Sequence, residues 1–246
     1  MLTEKRYEVI LDLLDENEVI KSSTIAGATN SSESTIRRDL IVLENRGLLK
    51  RIHGGAKSLS DKLNSTLSDK KVEKNIHEKR LIGELSANLI EENDYIFIDG
   101  SETAKFLIKN INGKNIFVFT NSLKSAELLG KLKIKSYLFG GNITSNLCTF
   151  GENVINEINK ISFDKVFFET DGIDIKYGFT TKSVEDSKIK EALYKKANEV
   201  YILADNSKFN KIEKVKFLDI DKGFIITDEK SDINEFNKEK IIVVKQ

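Results

Sequence analysis

From Ser31 to Ala56 the chain runs S-S-E-S-T-I-R-R-D-L-I-V-L-E-N-R-G-L-L-K-R-I-H-G-G-A, a helix able to lie on DNA followed by a short hairpin. Ser32 is suited to cap the helix, its hydroxyl accepting a free N–H of the first turn, and Glu33 suits the positive end of the helix dipole. Ile36, Leu40 and Leu43 recur at i, i+4 and i+7, so one face packs inward while Ser34, Thr35, Arg37 and Arg38 fall off that stripe. Two guanidiniums and two hydroxyls are left facing outward near the helix N-terminus, where a recognition helix presents side chains to base edges and phosphates. Gly47 is expected to stop the helix. Leu48 to Ile52, followed by His53-Gly54-Gly55, reads as a strand and a tight turn.

Charge supports this reading locally and not globally. The 246 residues carry 39 Lys+Arg against 39 Asp+Glu, a formal net charge of zero. From Ser34 to Lys57, however, Arg37, Arg38, Arg46, Lys50, Arg51 and Lys57 face only Asp39 and Glu44, a net +4. The basic footprint is confined to one patch. An amphipathic helix with a solvated basic face would account for two adjacent arginines alone, but not for the cap, the stripe and the hairpin together.

The length suits a small N-terminal module plus one domain of ordinary size. The single cysteine, Cys148, excludes an internal disulfide framework and leaves no zinc ligand cluster, so it is expected to be a small, at least half-buried thiol in a reducing compartment. No run approaches the ~18 apolar residues of a membrane span, and M-L-T-E-K-R at the start has no apolar leader core. A cytoplasmic protein without metal or cofactor is expected. Prolines number 0, so Gly, Asn, Asp and Ser must make the turns.

Upstream, Thr3 is placed to cap a first helix whose Tyr7, Ile10, Leu11 and Leu14 form an apolar stripe. Ser22 or Ser23 is expected to cap a short second helix through Ile25 and Ala26. Downstream, Lys57 to about Lys74 is polar, Ser-rich and aperiodic, as expected of a connection between domains. The division predicted is residues 1–57, a linker over 58–73, and a second domain over 74–246.

In the second domain helices and strands alternate. Ile76 to Ile90, Ala104 to Lys109, Ser122 to Gly130 and Glu185 to Lys196 are predicted helices. Tyr95 to Ile98, Ile116 to Phe119, Ser136 to Phe139, Lys165 to Phe168, Val200 to Leu203, Gly223 to Ile226 and Ile241 to Val244 are predicted strands. Strands spaced by crossover helices imply an α/β domain with a mostly parallel sheet covered on both faces. The strands are followed by Asp99-Gly100-Ser101-Glu102-Thr103, Thr120-Asn121-Ser122, Gly140-Gly141-Asn142, Glu169-Thr170-Asp171-Gly172 and Asp205-Asn206-Ser207-Lys208. In open α/β sheets such loops gather at one edge as a ligand crevice with free helix N-termini. Each loop alone is an ordinary turn composition; five together, with hydroxyls, glycines and a lysine, suit a phosphate.

Thr35-Ile-Arg-Arg-Asp-Leu40, the spacing Leu43 to Gly47 and Arg51-x-His53-Gly-Gly-Ala56 resemble the N-terminal signature of the DeoR family of bacterial transcription regulators. The resemblance implies a winged helix-turn-helix up to about Ala56, with Ser32, Ser34, Thr35, Arg37 and Arg38 on the recognition helix and Arg51 and His53 in the wing. The strand-end loops, Gly172-Ile-Asp174 and the Lys190 region resemble the family's sugar-phosphate-sensing domain, related in fold to ribose-5-phosphate isomerase. By that resemblance Asp99, Gly100, Ser101, Thr103, Thr120, Asn121, Ser122, Gly140, Gly141, Glu169, Asp171 and Asp205 would form an effector site, with Lys190 and Lys208 opposite the ligand's charge. One departure is Glu169-Thr170 where the family commonly has Gly-Ala, which puts a carboxylate at the strand end.

Two functions from different classes follow. The first is a repressor of a sugar-utilisation operon that binds double-stranded operator DNA as a homodimer or homotetramer and is released by a phosphorylated sugar. The second is a sugar-phosphate isomerase with a DNA-binding appendage, which needs a base for the sugar's acidic proton. Glu169 or Asp171 could serve, but His53 lies in the wing and His77 at the start of a helix, and no second acid–base partner is recognisable.

Overall fold

A computed structural model of the chain describes residues 3–17, 19–45, 48–58, 75–111 and 113–244. The chain divides into two compact units, Met1–Asp69 and Lys70–Gln246. The predicted linker lies outside the described residues except for Ser58, which belongs to a strand of the first unit, so the wing extends one residue past its expected end.

The first unit runs α1 (Thr3–Glu16), β1 (Val19–Lys21), α2 (Ser22–Thr29), α3 (Glu33–Asn45), β2 (Leu49–Ile52) and β3 (Gly55–Ser58). Its core is the predicted stripe set: Ile10 and Leu14 of α1 and Ile25 of α2 meet Ile36, Leu40 and Leu43 of α3. The hairpin β2–β3 is antiparallel, and β1 adds to it in the order β1-β3-β2. That third strand, of only three residues, was not expected. It explains Gly55, where a Cβ would stand 2.0 Å from the Ile20 carbonyl oxygen, so any side chain would part β1 from β3. Helix α2 begins at Ser22 after Lys21 and has no side-chain cap; the Ser22 N–H instead donates to the Gly54 carbonyl at 2.8 Å. Gly47 lies outside the described residues.

The second unit comprises α4 (Ile76–Asn88), β4 (Tyr95–Ile98), α5 (Glu102–Asn110), β5 (Phe117–Thr120), α6 (Leu123–Lys131), β6 (Ser136–Leu138), β7 (Asn142–Ile143), β8 (Thr149–Phe150) and α7 (Glu152–Ile158). It continues through β9 (Phe163–Glu169), β10 (Gly172–Asp174), β11 (Gly178–Thr181), α8 (Val184–Lys196), β12 (Ala197–Leu203), β13 (Val215–Leu218), β14 (Phe224–Asp228) and β15 (Ile241–Val244). Seven strands form one sheet in the order β15-β14-β12-β9-β4-β5-β6, every pairing parallel. Side chains alternate between two cores, as period 2 requires. Ile96, Ile98, Val118, Phe167 and Leu203 pack under α4, α5 and α6. Phe97, Val166, Phe168 and Ile202 pack under α7, α8 and a small antiparallel sheet of β10, β11 and β13.

Candidate functional site

On the first unit, α3 presents the predicted surface. The Thr35 N–H donates to Ser32 Oγ at 3.2 Å, making Ser32 the cap, and that hydroxyl also lies 2.9 Å from the hydroxyls of Ser34 and Thr35. Arg37 and Arg38 are exposed. Arg37 approaches Glu33 only at 3.7 Å with 71% of its side chain exposed, a pairing weak enough in water to yield to a phosphate. Asp39 takes no part in the surface. It is buried against Arg6 of α1, which donates through Nε at 2.5 Å and through its second terminal nitrogen at 3.0 Å, so one of the patch's two acids is neutralised from behind. The other, Glu44, accepts the Arg51 N–H at 2.8 Å and tethers the wing to α3. Arg51 and His53 are exposed on the hairpin.

In the second unit the strand order reverses at β4: β5 and β6 lie to one side of it, and β9, β12, β14 and β15 to the other. The crevice outside the C-terminal ends of β4 and β9 is therefore the switch point at which doubly wound sheets bind ligands. A cavity of about 520 Å³ opens there, lined among others by Asp99, Gly100 and Ser101 after β4, Glu169, Thr170 and Asp171 after β9, and Lys182, Asp186 and Lys190 around α8. That is within the size range of small-molecule sites.

Hydrogen bonds make the walls rigid. Asp99 accepts the Ser101 N–H at 3.0 Å and the Ser101 hydroxyl at 2.7 Å on one oxygen, and the Glu169 N–H at 2.7 Å on the other, which staples β4 to β9. Ser101 also caps α5, as Ser122 caps α6 and Ser183 caps α8. Three helices thus begin with a serine at the ligand edge of the sheet, and Ser101 and Ser183 line the cavity itself. Gly100 is obligatory, because a Cβ would lie 2.7 Å from Ser122 Oγ and 2.8 Å from Cys148 Sγ.

Charges inside are paired within the protein. Lys190 donates to Asp186 at 2.6 Å with 8% of its side chain exposed, and it lies 5.1 Å from the Phe217 ring centroid. Lys182 pairs with Asp171 at 3.2 Å. Burial pushes the Asp171 carboxyl up, yet the Lys182 ammonium, by charge and hydrogen bond, outweighs it and holds the group below its ordinary value. The opposite holds for Asp99 and Glu169. Burial raises both, with Lys190 opposing it at Asp99 and Lys208 at Glu169.

The predicted effector residues separate into three groups. Asp99, Gly100, Ser101, Asn121, Glu169, Asp171 and Lys190 line the cavity. Thr103, Thr120, Ser122, Asp205 and Lys208 stand behind the lining. The Thr103 hydroxyl is 3.4 Å from Glu169, Thr120 accepts the Ser122 N–H at 3.1 Å, and Lys208 reaches Glu169 at 3.6 Å. Asp205 caps the turn that carries Lys208 and accepts from the Asn75 side chain at 2.7 Å. Gly140 and Gly141 line a separate depression with Asn153, Asn156, Glu157 and Lys160; the segment after β6 reaches the cavity only further on, through the hairpin of β7 and β8. Residues missed are those brought in by the small sheet and by the hairpin of β7 and β8: Thr181, Lys182, Ser183 and Asp186 from one, Thr144, Asn146 and Cys148 from the other. Thr181-Lys182-Ser183 before a helical period carried a capping signal that could have been followed. Cys148 is half-buried in the lining, and burial pushes its thiol up to about 11, so it is inert as a nucleophile near neutrality.

A capped basic recognition helix with its wing, and a separate α/β unit with a ligand-sized cavity, define a DNA-binding transcriptional regulator. The chain belongs to the DeoR family: residues 6–62 match the DeoR-like helix-turn-helix domain and residues 74–229 the DeoR C-terminal sensor domain. It is 37% identical over 248 residues to the uncharacterized HTH-type transcriptional regulator FruR of Bacillus subtilis (strain 168), covering 100% of this chain and 98% of that protein. It is 31% identical over 218 residues to the lactose phosphotransferase system repressor of Staphylococcus aureus (strain NCTC 8325 / PS 47), covering 87% and 86% respectively. Among solved structures, ribose 5-phosphate isomerase A from Neisseria gonorrhoeae overlaps 56% of this chain and 54% of its own at TM-score 0.41 and 20% identity, an overlap too partial to bear on chemistry. Among the described residues no helix is long and apolar enough to cross a membrane.

Proposed function

We propose that this regulator represses a sugar-utilisation operon and that a phosphorylated sugar, held in the switch-point cavity, releases it from operator DNA. The observation that carries the reading is the convergence of two serine-capped helix starts, at Ser101 and Ser183, with Lys182 and Lys190 on one cavity. Free first-turn N–H groups and ammonium groups together are the standard recognition of a phosphate dianion. Lys182, 55% exposed and tied to Asp171 only at 3.2 Å, is the cation most easily redirected to a ligand. The Staphylococcus aureus relative's name, a repressor of a sugar phosphotransferase system, supports the same class of effector. Glu169 and Asp171, the groups that an isomerase would need as bases, are each held by a lysine, which favours a binding site over a catalytic one.

The division of labour follows: residues 1–58 hold DNA, residues 59–73 connect, and residues 74–246 bind the effector and assemble a cytoplasmic homodimer or homotetramer that matches a symmetric operator. The test is an operator titration at fixed salt with and without sugar phosphates. A saturating effector should weaken operator binding about 5- to 150-fold, and the unphosphorylated sugar should leave it unchanged. Equal responses to sugar and sugar phosphate would remove the phosphate from this reading.

A further inference from the structure

Five carboxylates line the cavity, and four have hydrogen-bond donors at close range. Asp99 accepts three bonds at 3.0 Å or less. Asp171 accepts the Lys182 N–H and Nζ, each at 3.2 Å. Asp186 accepts Lys190 at 2.6 Å and the Thr181 hydroxyl at 2.7 Å. Glu185 accepts the Ser183 hydroxyl at 2.8 Å. Glu169 is different. Its nearest side-chain partners are the Thr103 hydroxyl at 3.4 Å and Lys208 at 3.6 Å, one on each oxygen. The side chain is 21% exposed, and the residue belongs to the cavity lining. A carboxylate can accept about four hydrogen bonds, and one withdrawn from water without close donors is costly.

We propose that Glu169 is the residue by which this regulator reads the identity of its effector, its carboxylate accepting hydrogen bonds from adjacent hydroxyls on the unphosphorylated end of a polyhydroxylated ligand. The inference rests on the cavity being the effector site. It fixes the ligand's direction: the phosphate cannot lie against Glu169, where like charges would meet at low dielectric, so it lies toward Lys182 and the start of α8 while the hydroxyls lie toward β9. Neighbouring hydroxyls on a sugar ring are spaced to donate to both oxygens of one carboxylate. Lys208 and Thr103, already on the far side of the group, hold the carboxylate in place without supplying the short bonds it lacks. Burial that raises the Glu169 pKa agrees with a group whose missing donors arrive with the ligand. Sites built to bond a hydroxyl discriminate against analogues lacking it far more strongly than apolar pockets discriminate by size.

The experiment uses the full chain and isothermal titration with glucose, galactose, mannose and fructose 6-phosphates, fructose 1-phosphate, 2-deoxyglucose 6-phosphate and inorganic phosphate. Glu169→Gln, which keeps the shape, and Glu169→Gly, which removes the group, are compared with wild type, each checked for an intact melting transition. The tightest hexose phosphate should lose about 10- to 100-fold in affinity in both variants, the range of a charge-assisted hydrogen bond, and the spread of affinities across the hexose phosphates should narrow. Inorganic phosphate should bind all three proteins within about twofold. Hexose phosphates that bind wild type and both variants alike overturn the inference and leave the effector reading standing. So does a parallel loss of inorganic phosphate affinity, which would make Glu169 a prop of the whole cavity. If no member of the panel binds wild type, both fall together.

Discussion

The two units solve opposite problems with the same residue types. On α3 the groups proposed to meet DNA, exposed Ser34, Arg37 and Arg38 and half-buried Thr35, lie within five consecutive positions. The cavity is assembled from Asp99 to Lys190, more than ninety positions apart in the chain, and its charged groups are partly or wholly withdrawn from water and paired with one another. A DNA surface must offer unpaired cations to a polyanion that arrives already dense in charge. A small-ligand site must keep buried charges compensated while empty, and can afford to release only a few of them. The arginines are therefore dispensable to folding, whereas each cavity residue supports a neighbour.

The sharpest way to break that contrast is at the buried Arg6–Asp39 ion pair of the winged helix. Asp39→Ala should remove the carboxylate that pairs with Arg6 in the core and cost about 3–5 kcal/mol. The expected result is an early melting transition of the first unit and lost operator binding, with the sensor unit's transition and ligand affinity unchanged. A variant that melts as wild type would mean the pair is solvated.

Next in size is the DNA surface itself. Arg37→Ala and Arg38→Ala should each weaken operator binding by about 1–3 kcal/mol if the side chain reaches a base edge, and the melting curve should not move. Operator affinity at fixed salt that survives the double substitution would remove α3 from the interface.

How much of each unit was legible in the sequence follows the same division. The recognition helix was readable to its cap because every determinant is local: Ser32, the i, i+4, i+7 stripe and the glycines of the wing. Most of the seven parallel strands were readable because buried parallel strands are continuous apolar runs, β6 being exposed along its length; Tyr95–Ile98 and Ile241–Val244 agree at both ends. The small sheet was not. β10, β11 and β13 have three or four residues each, too few to establish a period, and they pair only through tertiary packing on Phe168 and Ile202. Their omission hid Thr181 and Lys182, the latter one of the two lysines in the cavity lining. Gly140-Gly141 shows the converse: the segment after β6 does reach the cavity, but through Thr144 to Phe150 and not through its glycines, a distinction that turn composition alone does not carry. Lys208 had the right neighbourhood and the wrong partner, Glu169 instead of open cavity, because a burial-driven ion pair across 39 positions leaves no local pattern.

That pair supplies the third test. Lys208→Glu would replace the ammonium that Glu169 now meets at 3.6 Å with a second carboxylate, and like charges in that setting should distort the strand end after β9. Effector affinity should be lost, while the isolated DNA surface keeps its operator contacts. The ratio of operator affinities with and without sugar phosphate, about 5- to 150-fold in wild type, should fall to one. A variant that still responds would place Glu169 and Lys208 outside the ligand's reach.

The smallest expected effect concerns the empty protein and the pH. Burial raises Glu169 above its ordinary value, with Lys208 acting against it. An acid raised on folding keeps its proton in the folded form to a higher pH than in the unfolded chain, so its contribution is fully present below the ordinary value near ~4.3 and is lost as pH rises through the folded value. Glu169→Gln has no proton to lose and should escape that loss. The gain is partial, since Lys208 then loses its partner, which is present only above the folded pKa. Asp99, raised in the same direction, is itself one of the charges that raise Glu169, so the Gln variant also relieves that repulsion and the two effects run the same way with pH. Melting temperatures of the sensor unit, measured without ligand between pH 4 and pH 8, should show the Gln variant gaining steadily on wild type as pH rises. The same substitution is the one expected to cost effector affinity, so a variant steadier at neutral pH and weaker for its ligand would mark Glu169 as a group kept for recognition against stability. A difference that stays flat across the range would mean that Lys208 and Thr103 solvate the carboxylate as well as water does, and that no donor is missing from the empty cavity.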